Sequence, residues 1–200
     1  MTRAVLERDA DQFVYLHGLS WEAFETILEL RGDSSSPKLA YIDGELEFMS
    51  PSWGHEWKKK TWAQLVEAYR LEMGIELTGV GSMTLRKEIE TAGAEPDECY
   101  VLGSEETSTP DLALEVIWTS GGLDKLEIYR RLGVGEVWYW LDGKIRVHVL
   151  RGTRYRRVAR SVLFPELDLA LMELALQGTN QTEAVRAFLA SVRKGRGRRR

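Results

Sequence analysis

The chain has 200 residues, of which 44% are hydrophobic, 29% charged and 10% aromatic, which is typical of a globular protein with one substantial core. Charged residues interrupt the apolar ones at the N-terminus, which predicts neither a signal peptide nor a transmembrane helix. The only cysteine, Cys99, cannot form an internal disulfide. We therefore expect a cytoplasmic protein with no membrane partner.

The formal charge of -4 and the pI of about 5.6 argue against a broad basic surface that coats DNA. Residues 193–200 carry six positive charges and no acid, which leaves a charge of -10 on the remainder. We expect residues 1–192 to form a single domain and residues 193–200 to form a basic, disordered tail. Such a tail is usually solvated, and the alternative is an electrostatic tether to a polyanion.

Hydrophobic periodicity predicts a helix from Ser20 to residue 30 and a second helix over residues 53–73 that ends at Gly74. Between them, Asp43-Gly44 is a strong signal for a hairpin that joins strands 39–42 and 45–49. Short extended segments are expected within residues 75–87. Residues 91–95 have the composition of a loop.

The second half of the chain alternates between strand and helix patterns. A further Asp-Gly turn, Asp142-Gly143, predicts another hairpin. The predicted strands are 97–102, 112–118, 136–141, 144–150 and 154–159, and the predicted helices are 123–132, 166–176 and 182–192. Hairpins interspersed with helices predict a mixed β-sheet flanked by helices, in the α/β class of α+β mixed type.

Two acids occupy notable strand positions. Glu115 lies inside the apolar strand 112–118, where an unpaired carboxylate is costly and requires a cation, a donor or a functional role. Its structural alternative is a glutamate satisfied by a neighbouring arginine. Asp97 follows Pro96 at the start of the preceding strand. Asp97 is the first candidate for a second acid beside Glu115. Asp111 also follows a proline and is the reserve candidate for that acid, or else it simply begins its strand.

A lysine follows these strands on the next helix. Lys125 shares a helical stripe with Ile128, Tyr129 and Leu132, so its ammonium begins on the inward face. The alternative is an ordinary lysine that buries only its stem. Two acids and one lysine brought together by adjacent strands and a helix would form an oxygen-rich pocket suited to a hard divalent metal and a phosphodiester.

Several short motifs follow one another along the chain. They are Tyr41-Ile-Asp-Gly-Glu45-Leu, Met49-Ser-Pro51, Gly54-His55, Pro96-Asp97, Pro110-Asp-Leu-Ala-Leu-Glu115-Val, and residues 125–138. Their order and spacing resemble the Uma-type (Uma-two) putative restriction endonuclease family, formerly a domain of unknown function, within the PD-(D/E)xK nuclease superfamily. The resemblance covers residues 41–160.

The resemblance implies a restriction-endonuclease-like core and a metal-dependent endonuclease that hydrolyses phosphodiester bonds of DNA. Asp97 and Glu115 would bind Mg²⁺ or Mn²⁺, and Lys125 would be catalytic. The superfamily's lysine normally follows the second acid by two residues, where this chain has Ile117, so the resemblance implies that the lysine has moved to the next helix.

The same resemblance implies two further site residues. Glu45 would be an additional acid near the metal, and His55 would line the site. Without the family, Glu45 is more often a solvent-facing hairpin residue, and His55 is more often a polar residue at a helix start.

Other interpretations remain open. Ile117 at the usual lysine position favours a catalytically inactive, nuclease-like module that binds nucleic acid or protein. A glycoside hydrolase with two carboxylates explains neither Lys125 nor the placement of both acids on adjacent strands. The segment Trp138-Tyr-Trp140 fits either base stacking or a buried strand, and the seven tryptophans favour an apolar homodimer surface.

Overall fold

The computed structural model describes residues 10–117 and 122–197. Its strands are β1 Gln12–Leu16, β2 Lys38–Ile42, β3 Glu45–Ser50, β4 Leu77–Gly81, β5 Leu85–Lys87, β6 Ala92–Ala94, β7 Glu98–Leu102, β8 Leu112–Val116, β9 Glu136–Leu141, β10 Lys144–Arg151 and β11 Arg154–Val158. Its helices are α1 Trp21–Arg31, α2 Trp53–Met73, α3 Lys125–Leu132, α4 Leu169–Leu176 and α5 Gln181–Gly197, with one 3₁₀ turn at Glu88–Glu90. The predicted mixed α/β class is confirmed.

The first sheet has five strands in the order β1-β3-β2-β6-β5, and every neighbouring pair is antiparallel. The predicted Asp43-Gly44 turn joins β2 to β3. Both residues have positive φ, 47° and 92°, which matches the right-handed twist of the flanking strands. This hairpin fixes which β3 side chains face the second sheet.

The second sheet has six strands in the order β11-β10-β9-β8-β7-β4. Only β8 and β9 are parallel, and the remaining pairs are antiparallel. A parallel pair needs a crossover connection, and α3 lies within the segment that joins these two strands. That helix packs on the side of the sheet that faces the first sheet.

Alternation along β8 divides the second sheet into two faces. Leu112, Leu114 and Val116 pack with α2, α4 and α5, whereas Ala113 packs with α3 and the first sheet. On β9, Trp138 and Trp140 belong to the helical side and are 0% and 4% exposed. These two indoles are core residues, which supports the buried-strand interpretation over base stacking.

The segment 91–95 was expected to be a loop, and this expectation is wrong. Ala92–Ala94 form β6, which lies between β2 and β5. β6 has no alternating pattern because its three residues, Ala-Gly-Ala, are all small. At Gly93 a Cβ atom would come within 2.8 Å of the Phe24 ring, so packing against α1 leaves no space for one.

Two terminal segments also differ from the expectations. β1, which no sequence pattern predicted, pairs with β3 at the edge of the first sheet. At the other end, residues 193–197 of the expected tail continue α5, where Arg193 and Arg196 bond to Glu72 on α2. Residues 198–200 lie outside the described residues. None of the helices described is long and apolar enough to cross a membrane.

Candidate active site

The candidate site lies where the chain passes from β6 of the first sheet to β7 of the second. Asp97 occupies this crossing and is 1% exposed. Its Oδ1 lies 2.5 Å from the Lys38 ammonium on β2, and its Oδ2 accepts a 2.7 Å hydrogen bond from the backbone N–H of Val116. Both sheets therefore hold the Asp97 carboxylate in place.

Glu115 faces Asp97 across the strand pair. β7 and β8 are antiparallel with Glu98 opposite Leu114, so the next position of this register sets Asp97 opposite Glu115. Side chains at opposed positions lie on the same face, with Cβ atoms about 5 Å apart. Residue spacing alone could not fix this register. The structure thus brings together the two acids that the sequence analysis selected.

Glu115 is completely buried, and both of its oxygens have protein donors. Oε2 lies 2.7 Å from the Lys125 ammonium, and Oε1 accepts a hydrogen bond from the Tyr129 hydroxyl. Both donors come from α3 and are four residues apart, so they share one helix face. The expected structural alternative, an arginine partner for Glu115, is not found among the described residues.

Lys125 is the first residue of α3, where the Asp124 side chain caps the helix by accepting from Glu127 N–H. Its side chain is 15% exposed. Burial alone lowers the pKa of Lys125, but the carboxylates of Glu115 and Asp97 outweigh burial and raise it above its usual value. The ammonium is therefore charged at neutral pH.

His55 lies between two carboxylates. Its Nδ1 is 2.8 Å from Asp11 Oδ2, and its Nε2 is 2.9 Å from Asp97 Oδ2. The second contact lacks hydrogen-bond direction, so we describe it as an ion pair. Burial lowers the pKa of His55, but the hydrogen bond to Asp11 and the charge of Asp97 together raise it to about 9. A charged imidazolium thus braces Asp97.

The two acids respond differently to their surroundings. Burial raises the pKa of Asp97, yet Lys38 and His55 overcome this and hold it well below the usual range. Burial also raises the pKa of Glu115, and there Lys125 only partly offsets burial and the neighbouring Asp97 charge. Glu115 is therefore the carboxylate with too little compensating positive charge.

A pocket of about 220 Å³ opens beside this cluster. Its wall includes His55, Lys125 and a third buried acid, Glu47, which is 2% exposed. Glu47 Oε2 accepts a 3.1 Å hydrogen bond from the backbone N–H of Leu123, so strand β3 is tied to the segment just before α3. The pocket therefore has both acid and ammonium groups on its wall.

Of the sequence candidates, His55 and Lys125 line the pocket, and Asp97 and Glu115 lie buried beside it, whereas Glu45 and Asp111 belong neither to the pocket wall nor to the cluster. Glu45 lies at the start of β3, 43% exposed at its side chain, and pairs with His17. Asp111 lies at the far end of β8, where its Oδ2 accepts a 2.7 Å hydrogen bond from Leu102 N–H. The structure thus separates Asp111 from Asp97 and places Glu47, rather than Glu45, at the pocket.

Sequence reasoning assigned no role to several residues of the cluster. Two of them had a local signal in the sequence. Tyr129 follows Lys125 by four residues on the inward stripe, and Glu47 follows Glu45 by two residues, on the same face of β3. The contacts of Asp11 and Lys38 with this cluster join positions 44 and 59 residues apart, and no local pattern reports them. The lysine that neutralises Asp97 could only be found from the tertiary structure.

Metal-binding geometry is a separate question from the presence of acids. Among residues 10–117 and 122–197, no group of three or more histidine, cysteine, aspartate or glutamate side chains is arranged to hold a metal ion. The oxygens of Asp97 and Glu115 point toward lysine, histidine, tyrosine and backbone donors instead.

Comparison with known proteins places this arrangement in context. A crystal structure of a putative nuclease belonging to DUF820 from Anabaena variabilis ATCC 29413 is similar, with a TM-score of 0.52 and 12% identity over 85% of this chain and 99% of that one. At this identity the likeness concerns the fold. No curated protein matches the chain. The Uma2 family, described as putative restriction endonuclease, matches residues 21–185, which supports a nuclease-like function. The chain belongs to the Uma2 family.

Proposed function

We propose that the chain is a metal-dependent endonuclease that hydrolyses phosphodiester bonds of DNA. The observation that carries this proposal is the buried cluster of Asp97, Glu115 and Lys125 beside an open pocket. Two opposed strand carboxylates with one ammonium form the arrangement expected for phosphodiester chemistry. Membership of the Uma2 family supports the same reaction class.

The oxygen donors are of the kind that a hard divalent cation binds, although the described side chains are not grouped as a metal site. Asp97, Glu115 and Glu47 are all buried carboxylates, and oxygen is the ligand atom that Mg²⁺ and Mn²⁺ prefer. A carboxylate has about four lone-pair positions, whereas Glu115 uses two of them in the contacts described. Its raised pKa is the sign of a carboxylate that lacks positive charge. Asp97 and Glu115 would hold the ion, with Glu47 as the additional acid in place of Glu45.

Bound there, a divalent cation would polarise the scissile phosphate and lower the pKa of a water molecule. The remaining work falls to side chains of the chain itself. The charged Lys125 ammonium would orient the attacking water or stabilise negative charge on the phosphate. His55, held by Asp11, would act as a positioning residue that fixes the orientation of Asp97.

Metal titration tests this proposal directly. We expect isothermal calorimetry with Mn²⁺ to show binding to the wild-type protein and at least tenfold weaker binding to Glu115→Gln. Asp111→Asn is the matched control because it removes one carboxylate from the same strand at its far end. Equal Mn²⁺ affinity in wild type and Glu115→Gln would refute the metal site.

The competing proposal is a catalytically inactive, nuclease-like module that binds nucleic acid or protein. Ile117 at the usual lysine position favours it, and so does the engagement of both acids by protein donors. The two proposals differ in one measurement. The inactive module should bind no Mn²⁺ at these carboxylates and should leave a supercoiled plasmid uncut at every metal concentration. The expected homodimer stays a prediction, for which light scattering is the measurement.

A further inference from the structure

A second charged feature of the chain lies outside the pocket, on the hairpin β10–β11. Residues 144–165 contain seven lysines and arginines and no acid, in a protein whose overall charge is -4. Three side chains of this hairpin, Arg146, His148 and Arg157, point to the face of the second sheet that carries Glu115. We name these three residues the basic face.

The register of the second sheet links the basic face to the pocket. Glu115 on β8 is opposite Tyr139 on β9, and Tyr139 is opposite Arg146 on β10. Two residues further along β10, on the same face, His148 is opposite Arg157 on β11. Opposed residues share a face of the sheet, so these side chains form a row that starts at Glu115. The Tyr139 and His148 rings, 5.4 Å apart at their centroids, lie along this row.

Core packing independently confirms which face each arginine occupies. On β11, Tyr155 packs with the α3 side of the sheet, and Arg157 shares its alternation. Val158 packs with the opposite core, and Arg154 and Arg156 share that alternation. One strand therefore presents exposed arginines to both sides of the sheet, and only one of those sides contains the pocket.

The basic face is available to a partner. Arg157 is exposed and has no ion pair with any acid of the described ranges. The Arg146 side chain is 33% exposed, and its one ion pair within the described ranges is with Asp142, at 3.2 Å. The Asp142 side chain is 78% exposed, so this pair is weak. Burial lowers the pKa of His148, and the nearby charges of Arg157 and Arg146 lower it further.

We propose that the basic face binds the phosphate backbone of duplex DNA on one side of the scissile phosphate. The proposal rests on the proposed nuclease function, because the row begins at the glutamate assigned to catalysis. Three strand spacings separate Glu115 from Arg157, a distance of about 15 Å. This corresponds to about four base pairs along the DNA axis. The basic face thus supplies local positive potential to a protein whose net charge is negative.

DNA binding without cleavage tests the proposal. Fluorescence anisotropy with a 5′-labelled duplex of about 24 base pairs in EDTA separates the two steps, because binding through phosphates requires no metal. We expect Arg146→Gln/Arg157→Gln to raise the Kd at least tenfold. The slope of log Kd against log salt concentration should fall by about two, one per lost phosphate contact.

The matched control is Arg154→Gln/Arg156→Gln, which removes the same charge from the same hairpin on the other face. We expect less than a threefold change in Kd for this variant. Equal weakening by both pairs would mean that net charge alone binds DNA and would overturn the proposal. An unchanged salt slope in the first pair, or tighter binding of single-stranded RNA than of duplex DNA, would overturn it as well. Thermal unfolding checks that both variants fold.

Failure of this proposal can be distinguished from failure of the nuclease proposal. Glu115→Gln should bind the duplex as wild type does and lose cleavage. If wild type cuts no DNA in Mn²⁺ but the basic face still governs binding, the nuclease proposal fails and the DNA surface stands. If wild type cuts DNA and the arginine pair changes neither Kd nor salt slope, the surface proposal fails alone.

Discussion

The two Pro-Asp pairs of the chain lie at opposite ends of the same antiparallel strand pair, β7 and β8. Asp97 is 1% exposed and lies against Lys38 and His55, with Glu115 opposite it in the register. Asp111 is only partly buried and accepts a hydrogen bond from the Leu102 backbone. The same dipeptide, Pro-Asp, thus belongs to a charged cluster at one end of the strand pair and makes a local backbone contact at the other end.

The difference between the two ends comes from their neighbours. β2 supplies Lys38, the start of α2 supplies His55 and the start of α3 supplies Lys125, all at the Asp97 end. Within the described ranges, no lysine, arginine or histidine forms an ion pair with Asp111. A buried acid becomes a candidate functional group when the fold surrounds it with cations and leaves a pocket beside it.

The largest expected difference between Asp97 and Asp111 is in the rate of DNA cleavage. We expect Asp97→Asn to lower the rate of Mn²⁺-dependent plasmid cleavage by about 10³-fold, since a metal ligand supplies several kcal/mol of transition-state stabilisation. Asp111→Asn should retain a rate within about threefold of wild type. Gel assays of supercoiled plasmid measure both variants. Comparable losses in the two variants would show that the ends of the strand pair are not functionally distinct.

The pH dependence of stability should separate the two aspartates next. The pKa of His55 is about 9 in the folded protein against an ordinary value of 6.5, so its stabilising contribution is complete below pH 6.5. That contribution is lost as the pH rises through 9, because the folded state then releases its extra proton. The loss is at most about 3.5 kcal/mol, at about 1.4 kcal/mol per pKa unit.

Urea unfolding of the metal-free protein from pH 6 to 9.5 measures this loss. His55→Gln should remove the decrease in this window, and Asp97→Asn should reduce it because the imidazolium then keeps only Asp11 of its two acids. Asp111→Asn should keep the wild-type slope. A wild-type curve parallel to that of His55→Gln would contradict a charged histidine between Asp11 and Asp97.

Lys125 tests whether the cation beside the acids acts in the reaction or only in folding. We expect Lys125→Ala to lower the cleavage rate about 10²-fold, as for loss of one donor that stabilises developing charge. The Kd for Mn²⁺ should change by less than about threefold. Single-turnover kinetics and calorimetry give the two quantities. Lys144→Ala is the control, since Lys144 pairs with Glu173 of α4 and lies outside the cluster and the pocket wall. A full rate with Lys125→Ala would exclude a catalytic role.

The smallest expected difference in cleavage rate is between the two acids of β3, Glu47 and Glu45. Glu47 is buried at the pocket, whereas Glu45 is partly exposed and pairs with His17. We expect Glu47→Gln to lower the cleavage rate about tenfold, in keeping with an additional acid. Glu45→Gln should stay within about twofold of wild type. The opposite order in the same plasmid assay would return the additional acid to Glu45.

Much of the secondary structure followed from local pattern. The Asp-Gly turns predicted both hairpins, and α2 begins after Ser52 and ends before Gly74 because each end has a capping residue. β6 escaped prediction because Ala-Gly-Ala has no alternation, and its strand character comes from pairing with β2 and β5. β1 likewise depends on its pairing with β3. Both are decided by long-range partners.

By itself, the sequence determined three members of the cluster. Apolar strand flanks made Glu115 conspicuous, proline marked Asp97, and helical spacing turned Lys125 inward, all of which are local signals. Only the tertiary structure put Asp97 rather than Asp111 beside Glu115, put Glu47 rather than Glu45 on the pocket wall and brought Lys38 to Asp97. The physical reason is that strand register and sheet order set which side chains meet, and both arise from pairing between segments distant in the chain.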